Sequence, residues 1–200
     1  MANIKTSYTD GARRGFFRMG VVLARMGVTA DWLTIFGLLL QVAGLPLIIS
    51  GHFGWALIIG IIASVCDALD GAVARAGVGS TKAGAFLDST TDRVSEGFML
   101  TAIAYLLATQ HRPVFVAVTV AAIAGSFLVS YTRAKAEAIG LRGDVGIGSR
   151  AERVVVITAG LVLAPWGVLP WAIALLACTA WITVCQRVLH VRKQLMEANT

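Results

Sequence analysis

Long apolar stretches alternate with short charged segments along this chain of 200 residues. No charged residue occurs in the 35 positions from Trp32 to Cys66, or in the 33 positions from Val154 to Gln186. Because one membrane span needs about 20 apolar residues, each stretch suits two helices joined by a turn. Glycine and proline mark those turns at 51–54 and 165–170.

Two further apolar runs, 97–110 and 113–132, raise the predicted number of membrane helices to six. The predicted spans are 32–50, 54–75, 83–109, 113–138, 152–164 and 168–190. The composition agrees, since a chain with 57% hydrophobic and 14% charged residues is too apolar for a soluble domain. We therefore expect an all-α integral membrane protein, in which residues 31–200 form one six-helix transmembrane catalytic domain.

Residues 1–30 show a different pattern, that of an N-terminal amphipathic helix lying in the membrane interface. At 100° per residue, Arg14, Arg18 and Arg25 fall on one face. The opposite face carries Ala12, Phe16, Met19, Leu23 and Met26. Arginines interrupt any apolar core, so the segment does not resemble a signal peptide. We expect it to anchor and position the rest of the chain.

The basic residues predict the orientation of the helices. Of the 17 lysines and arginines, only Arg112 falls in a loop assigned to the far side. The positive-inside rule then places both termini and the loops 76–83 and 139–151 in the cytoplasm, and all 11 acidic residues lie toward that side. The net charge of +6 suits anionic lipid headgroups. Nucleic-acid binding is disfavoured, because the basic residues are dispersed among membrane helices.

Two acidic stripes lie on either side of the 76–83 turn. The first is Asp67, Asp70 and Gly71, and the second is Gly84, Asp88 and Asp92. The glycines let the two helices approach closely, so the four carboxylates converge. Converging carboxylates repel one another unless protons, water or cations neutralise them. Oxygen-only ligands suit Mg²⁺ or Mn²⁺ first and Ca²⁺ next, and two divalent ions cancel four negative charges.

A helix end that reaches water is a simpler explanation for Asp67 and Asp70. It does not explain Asp88 and Asp92, which lie one and two turns inside the next predicted helix, where an unpaired carboxylate is costly. A divalent-cation transporter, with the acids as an ion pathway, is the alternative from another functional class. Against it, the far half of the predicted bundle offers no polar relay. The three cysteines lack metal-ligand spacing and are expected to be structural, and the three histidines are expected to have no catalytic role because none has a partner at useful spacing.

Residues from Asp67 to Asp92 match D-x2-D-G-x2-A-R-x8-G-x3-D-x3-D at every fixed position. On this signature the chain resembles the CDP-alcohol phosphotransferase family. Its members are integral membrane enzymes that transfer a phosphatidyl-type group from a CDP-linked lipid to an alcohol and release CMP. The resemblance implies two Mg²⁺ ions per site, with Mn²⁺ as an alternative, and a homodimer in the cell membrane whose active site faces the cytoplasm.

The resemblance also implies roles for individual residues. Asp67, Asp70, Asp88 and Asp92 would hold the metals, and Asp92 would also act as general base toward the attacking hydroxyl. Contacts with CDP-diacylglycerol are implied for Asp31, Thr34, Gly71, Arg75 and Thr81. Ala30 and Asp31 stand where the family has Pro and Asn, so helix capping is a second interpretation of Asp31, as it is of Thr81.

The long charged segment 133–153 resembles the actinobacterial branch of the family that makes phosphatidylinositol phosphate. That branch implies transfer of the phosphatidyl group from CDP-diacylglycerol to inositol phosphate, giving phosphatidylinositol phosphate and CMP. The acceptor phosphate would be held by Ser130, Lys135, Arg153 and Arg192, near helix ends predicted on the acidic side. Glycerol 3-phosphate is the alternative acceptor, and its product would be phosphatidylglycerol phosphate.

Overall fold

The computed structural model describes residues 15–77 and 81–198, and these residues are helical with no strand. The helices are α1 (15–25), α2 (Ala30–Ile49), α3 (Phe53–Ala76), α4 (Lys82–Thr109), α5 (Pro113–Ala138), α6 (Arg150–Val162) and α7 (Leu169–Ala198), with a 3₁₀ turn at Ala164–Trp166. The all-α prediction is confirmed. Each predicted span coincides with a helix, although α7 continues to Ala198 rather than ending at residue 190.

Local sequence signals account for the helix ends. Pro113 begins α5, where its missing N–H has no helical partner to lose. Gly140 follows the end of α5 with φ +77°, a left-handed conformation that glycine adopts without a steric penalty. Ser149 and Glu152 form a capping box at the start of α6, in which Glu152 Oε2 accepts from the Ser149 N–H at 2.6 Å.

Four described helices, α2, α3, α5 and α7, are long and apolar enough to cross a membrane. The first half of α4 is too charged, because it carries the acids of the second stripe together with Lys82 and Arg93. Helix α6 has 13 residues, fewer than the roughly 20 that a span requires. The count of six spans therefore stays a prediction.

The described residues form two compact units. One contains residues 15–45 and 58–96, except for 78–80, and the other contains residues 46–57 and 97–198. The first unit carries both acidic stripes, and the second carries the residues predicted to hold the acceptor phosphate. The predicted boundary between an interfacial segment and a catalytic domain at residue 30 stays a prediction.

Small residues let the helices of the first unit pack closely. A Cβ on Gly20 of α1 would lie 2.7 Å from the Ala72 carbonyl carbon of α3. A Cβ on Gly37 of α2 would lie 3.4 Å from the Ala63 carbonyl oxygen of α3. Both α1 and α2 therefore pack backbone to backbone on α3. Ala12 and Arg14 of the predicted amphipathic helix lie outside the described residues, and its interfacial location stays a prediction.

Helix α7 is the central helix of the second unit, where it packs against α5 and α6. The indole N–H of Trp181 donates to the Ala121 carbonyl oxygen of α5 at 3.0 Å. A Cβ on Gly125 would lie 3.0 Å from the Ala180 methyl, so α5 and α7 are in close contact there. Ile173, Leu176 and Ala180 of α7 are fully buried in this packing.

Candidate metal centre

Three of the four predicted metal ligands form one cluster. Asp67 and Asp70 lie one turn apart on α3, and Asp88 lies on the second turn of α4. Each can offer one carboxylate oxygen such that the three oxygens lie within 4.8 Å of one another. Asp70 is buried, while Asp67 and Asp88 are partly exposed. The predicted convergence of the two stripes is confirmed for these three carboxylates.

The donor set fits a hard divalent cation. Oxygens that share one Mg²⁺ lie about 3 to 4 Å apart, so the cluster needs only small side-chain rotations to close on an ion. Without a cation, two carboxylates 4.8 Å apart repel each other by roughly 3 to 4 kcal/mol at an effective dielectric constant of about 20, less where water screens them. A bound cation removes this repulsion, which favours metal binding here.

Thr34 of α2 is bonded directly to the cluster. Its Oγ1 donates to Asp70 Oδ2 at 2.6 Å and lies 3.1 Å from the Ala30 carbonyl oxygen. A hydroxyl has one proton, so it can make only one of these bonds fully at a time, and the shorter bond goes to the carboxylate. Thr34 and Asp70 are 8% and 7% exposed. The predicted nucleotide-binding Thr34 therefore orients a candidate metal ligand.

Asp92 lies one turn after Asp88 on α4 and is not a member of the three-carboxylate cluster. Its side chain is buried, and its Oδ2 lies 3.5 Å from Arg93 Nη1. Glu96, one further turn along the helix, is buried as well. The roles of Asp92 as a fourth ligand and as the base stay predictions.

The residues predicted to bind the nucleotide lie in the same unit as the cluster. A Cβ on Gly84 would lie 3.2 Å from Thr81 Oγ1 and 3.4 Å from Asp31 Oδ1, so these three residues are neighbours. Thr81 Oγ1 accepts from the Gly84 N–H at 2.9 Å, which confirms the capping interpretation of Thr81. Capping at α2 is provided by Thr29, whose Oγ1 accepts from the Trp32 N–H at 3.3 Å. Asp31 instead lies beside the start of α4.

Gly71 and Arg75 are also adjacent. A Cβ on Gly71 would lie 3.3 Å from Arg75 Nη1, so the arginine folds back along α3 over the glycine. Asp70 precedes Gly71 in the sequence, so Gly71 and Arg75 belong to the same helix as two carboxylates of the cluster. A guanidinium that lies over bare backbone is suited to a diphosphate.

The four predicted acceptor residues all lie in the second unit, in different environments. Ser130 Oγ bonds to the Ser126 carbonyl oxygen of its own helix at 3.3 Å. Lys135 is exposed in the last turn of α5, and Arg192 is exposed on an open groove along α7. Arg153 is only 2% exposed, and its Nη1 donates to the Gly148 carbonyl oxygen at 3.0 Å.

Arg187 is a buried cation that the sequence pattern did not single out. It is 5% exposed, its Nε donates to the Val145 carbonyl oxygen at 2.8 Å, and its Nη1 donates to the Val129 carbonyl oxygen. The positive charge of Arg153 repels the Arg187 cation. Arg192, five positions later, lies about 140° around the helix from Arg187. The one available signal was its position as the first charge after 33 uncharged residues.

Comparisons with known proteins agree with this geometry. The sequence pattern of the CDP-alcohol phosphatidyltransferase family matches residues 27–186. The phosphatidylinositol phosphate synthase of Mycobacteroides abscessus is 37% identical over 176 residues, which cover 85% of this chain and 80% of that protein. The archaetidylinositol phosphate synthase of Methanothermobacter thermautotrophicus is 35% identical, with 86% and 87% covered.

Solved structures give the same result. The Mycobacterium tuberculosis phosphatidylinositol phosphate synthase with CDP-DAG bound superposes with a TM-score of 0.84 at 35% identity, over 89% of this chain and 94% of that one. A structure of the same enzyme with manganese and citrate gives a TM-score of 0.82 at 35% identity, with 88% of each chain covered. The family pattern and these relatives show that this chain belongs to the CDP-alcohol phosphatidyltransferase family.

Proposed function

We propose that this enzyme transfers the phosphatidyl group of CDP-diacylglycerol to inositol phosphate, giving phosphatidylinositol phosphate and CMP. The observation that carries the proposal is the family motif folded into a cluster, with carboxylate oxygens of Asp67, Asp70 and Asp88 within 4.8 Å of one another. The names of the relatives support inositol phosphate as acceptor, since they are synthases of phosphatidylinositol phosphate or archaetidylinositol phosphate.

Asp67, Asp70 and Asp88, with Asp92 as a fourth ligand, hold two divalent ions, Mg²⁺ or Mn²⁺. When bound, these ions polarise the diphosphate of the donor lipid and stabilise the CMP that leaves. Asp31, Thr34, Gly71, Arg75 and Thr81 bind the cytidine diphosphate part of the donor. Arg75, whose guanidinium lies over Gly71, supplies a cation for the diphosphate.

Asp92 acts as general base in the transfer. Its carboxylate takes the proton from the attacking hydroxyl of inositol phosphate as that oxygen bonds to the phosphorus atom of the phosphatidyl group. The bond between that phosphorus and the bridging oxygen breaks, and CMP carries away the electron pair. Arg93 pairs with the proposed base, its Nη1 lying 3.5 Å from Asp92 Oδ2.

The acceptor phosphate is held by Ser130, Lys135, Arg153 and Arg192. A phosphomonoester carries nearly two negative charges, so its binding requires cations, whereas the hydroxyls of the ring require only hydrogen-bonding groups. Arg153 is the strongest candidate of the four, because a guanidinium fixed by Gly148 can present a planar pair of donors to phosphate oxygens.

The same proposal includes the membrane arrangement. The six helices α2 to α7 are spans, α1 is part of an interfacial segment that ends near residue 30, and the catalytic domain covers residues 31–200. Both termini and the active site face the cytoplasm, as the distribution of basic residues favours. The enzyme acts as a homodimer in the cell membrane.

The test is CMP release by the purified protein in detergent, with each component omitted in turn. We expect release only when CDP-diacylglycerol, inositol phosphate and Mg²⁺ or Mn²⁺ are all present, and loss of release in excess chelator. Arg153→Lys should raise the KM for inositol phosphate at least about tenfold, because a single ammonium cannot replace a planar fork. Full turnover in excess chelator would contradict the metal mechanism, and equal use of free inositol would contradict the phosphate pocket.

A further inference from the structure

A non-helical segment of the chain, residues 142–148, lies along α7 and is called the strap here. Three side chains of α7 bond its backbone, in an order antiparallel to the strap. The pairs are Gln194 with Arg142, Arg187 with Val145, and Thr183 with Gly148. The six residue steps of the strap can span about 20 Å, close to the rise of about 17 Å between Thr183 and Gln194 on the helix. The strap is therefore fixed along its whole length.

Glycines let the strap lie directly on α7. A Cβ on Gly146 would lie 2.4 Å from Thr183 Cγ2, and one on Gly148 would lie 2.7 Å from Thr183 Oγ1. Gly146 also has φ +119°, which other residues rarely adopt. At its other end, a Cβ on Gly143 would lie 2.9 Å from the Ala136 methyl of α5. The strap has little space in which to shift.

The peptide units around Gly148 connect α7 to Arg153. Thr183 Oγ1 accepts from the Gly148 N–H at 2.8 Å and donates to the Thr179 carbonyl oxygen at 2.8 Å. The Gly148 carbonyl oxygen accepts from Arg153 Nη1 at 3.0 Å. Thr183 and Arg153 are 0% and 2% exposed, so water does not replace these bonds. The position of the strap thus sets the direction of the Arg153 guanidinium.

Arg187 makes the surroundings of Arg153 electropositive. Its two guanidinium bonds go to backbone carbonyl oxygens, which hold it without neutralising its charge. The positive charges of Arg133 and Arg153 repel the Arg187 cation, and the negative charges of Asp144 and Glu137 attract it. Glu137 already pairs with Arg133 at 2.8 Å. A phosphate is an anion suited to such an arginine-rich environment.

We propose that Thr183 and Arg187 are positioning residues for the acceptor: they fix the strap so that Arg153 meets the acceptor phosphate with a pre-set geometry. This inference rests on the proposed function, because it describes how the phosphate of that acceptor is held. The side chains act through Gly148 and Val145 and need no contact with the acceptor. Their loss should weaken acceptor binding while the chemical step and the donor lipid are little affected.

The test compares Thr183→Val with Thr183→Ser. Valine keeps the shape but loses the hydroxyl, so the KM for inositol phosphate should rise about tenfold. The kcat and the KM for CDP-diacylglycerol should change less than about threefold, and Thr183→Ser should restore the acceptor KM. Thr179→Val is the matched control, because the Thr179 hydroxyl bonds only to carbonyl oxygens of its own helix, at Leu175 and Leu176. Its KM values should equal those of the wild type.

Two results would overturn the inference. One is an unchanged acceptor KM in Thr183→Val, and the other is a parallel loss for both substrates with a lower thermal midpoint, which indicates a purely structural role. If Thr183→Val does not fold, Gln194→Ala at the other end of the strap is measured instead. For this variant, a rise confined to the acceptor KM supports the inference. An unchanged acceptor KM overturns it. A raised acceptor KM in Arg153→Lys with no effect of strap variants would reject the inference and keep the proposed function. A wild type that cannot use inositol phosphate would reject both.

Discussion

Thr34 lies 36 positions before Asp70 in the sequence, yet its hydroxyl donates a 2.6 Å hydrogen bond to that carboxylate. A bond of this kind fixes which oxygen of a metal ligand points at the metal. We expect Thr34→Val to weaken the apparent affinity for Mg²⁺ about tenfold, because mutation of a residue that bonds a metal ligand commonly has an effect of this size. The measurement is a Mg²⁺ titration of CMP release at saturating substrates.

Thr34→Ser is the control for that titration. Serine keeps the hydroxyl that bonds Asp70 and loses only the methyl group, so its Mg²⁺ dependence should follow the wild type. If the valine variant also titrates like the wild type, Thr34 does not orient Asp70 for metal binding. A change confined to the KM for CDP-diacylglycerol would instead favour the nucleotide contact predicted from the family resemblance.

Asp92 is buried one turn beyond the carboxylate cluster, and we propose it as both a fourth metal ligand and the general base. We predict that Asp92→Asn lowers kcat by about 100- to 10,000-fold, the usual contribution of a general base. Binding of CDP-diacylglycerol should stay within about threefold, since three other carboxylates remain for the metals. Rapid-quench turnover and equilibrium binding of the donor lipid separate the two effects.

The same change on an exposed carboxylate, Glu197→Gln, is the control for Asp92→Asn. Glu197 pairs with Lys193 at 3.8 Å on the surface of α7, and such a pair contributes about 0 to 1 kcal/mol. Its kcat should equal that of the wild type. Near-normal turnover of Asp92→Asn would remove Asp92 from the role of base.

Single residues also show what the sequence can and cannot predict. The spacing of Asp67 and Asp70 places them on one helix face before any tertiary contact forms, so the acidic cluster is predictable. Arg187 is different, because its partners are backbone carbonyl oxygens of Val145 and Val129, which tertiary folding alone brings to it. In the sequence it resembles an ordinary positive charge at the end of a span.

At the scale of the helices, α1 is fixed on α3 through Gly20. A Cβ there would meet the backbone of Ala72 at 2.7 Å, so Gly20→Val must push α1 away from α3. We expect a loss of roughly 1 to 3 kcal/mol in stability, the usual penalty of overpacking. The measurement is the thermal midpoint of the purified protein in detergent.

Gly15→Ala is the matched change for Gly20→Val. Apart from its neighbours along the chain, no described residue has an atom within 4 Å of a Cβ at Gly15, and alanine favours a helix over glycine by about 1 kcal/mol. The thermal midpoint should therefore rise slightly or stay the same. Equal effects of the two variants would mean that α1 does not depend on the close approach at Gly20.

Helix positions were predictable, whereas the faces that make contact were only partly so. Apolar stretches, Gly or Pro turns and, for the first half of α4, the acidic stripe predict every described helix from α2 to α7. In the N-terminal segment, the amphipathic pattern places Met19 and Met26 on the apolar face. These side chains are 53% and 73% exposed, whereas the buried contact is made by Gly20. A residue without a side chain contributes little to an amphipathic pattern, so that pattern cannot reveal a contact made by the backbone.

At the scale of the whole molecule, the orientation in the membrane is open to a direct test. Gln110 lies in the turn before α5 and Glu137 in its last turn, and α5, with 26 residues, is about 39 Å long. In a variant without Cys66, Cys178 and Cys185, a membrane-impermeant maleimide added to whole cells should label Gln110→Cys and leave Glu137→Cys unlabelled. After lysis both should react. The reverse pattern in whole cells would invert the proposed topology.

The central claim is that the acidic cluster serves a transferase whose acceptor is inositol phosphate. One reaction with equal concentrations of inositol phosphate and glycerol 3-phosphate, limiting CDP-diacylglycerol and Mg²⁺ gives the ratio of the two kcat/KM values directly from the two lipid products. We predict that phosphatidylinositol phosphate exceeds phosphatidylglycerol phosphate by at least about 100-fold, because a site built for ring hydroxyls leaves its polar groups unpaired with the smaller acceptor. Equal amounts, or an excess of phosphatidylglycerol phosphate, would contradict the assignment of the acceptor.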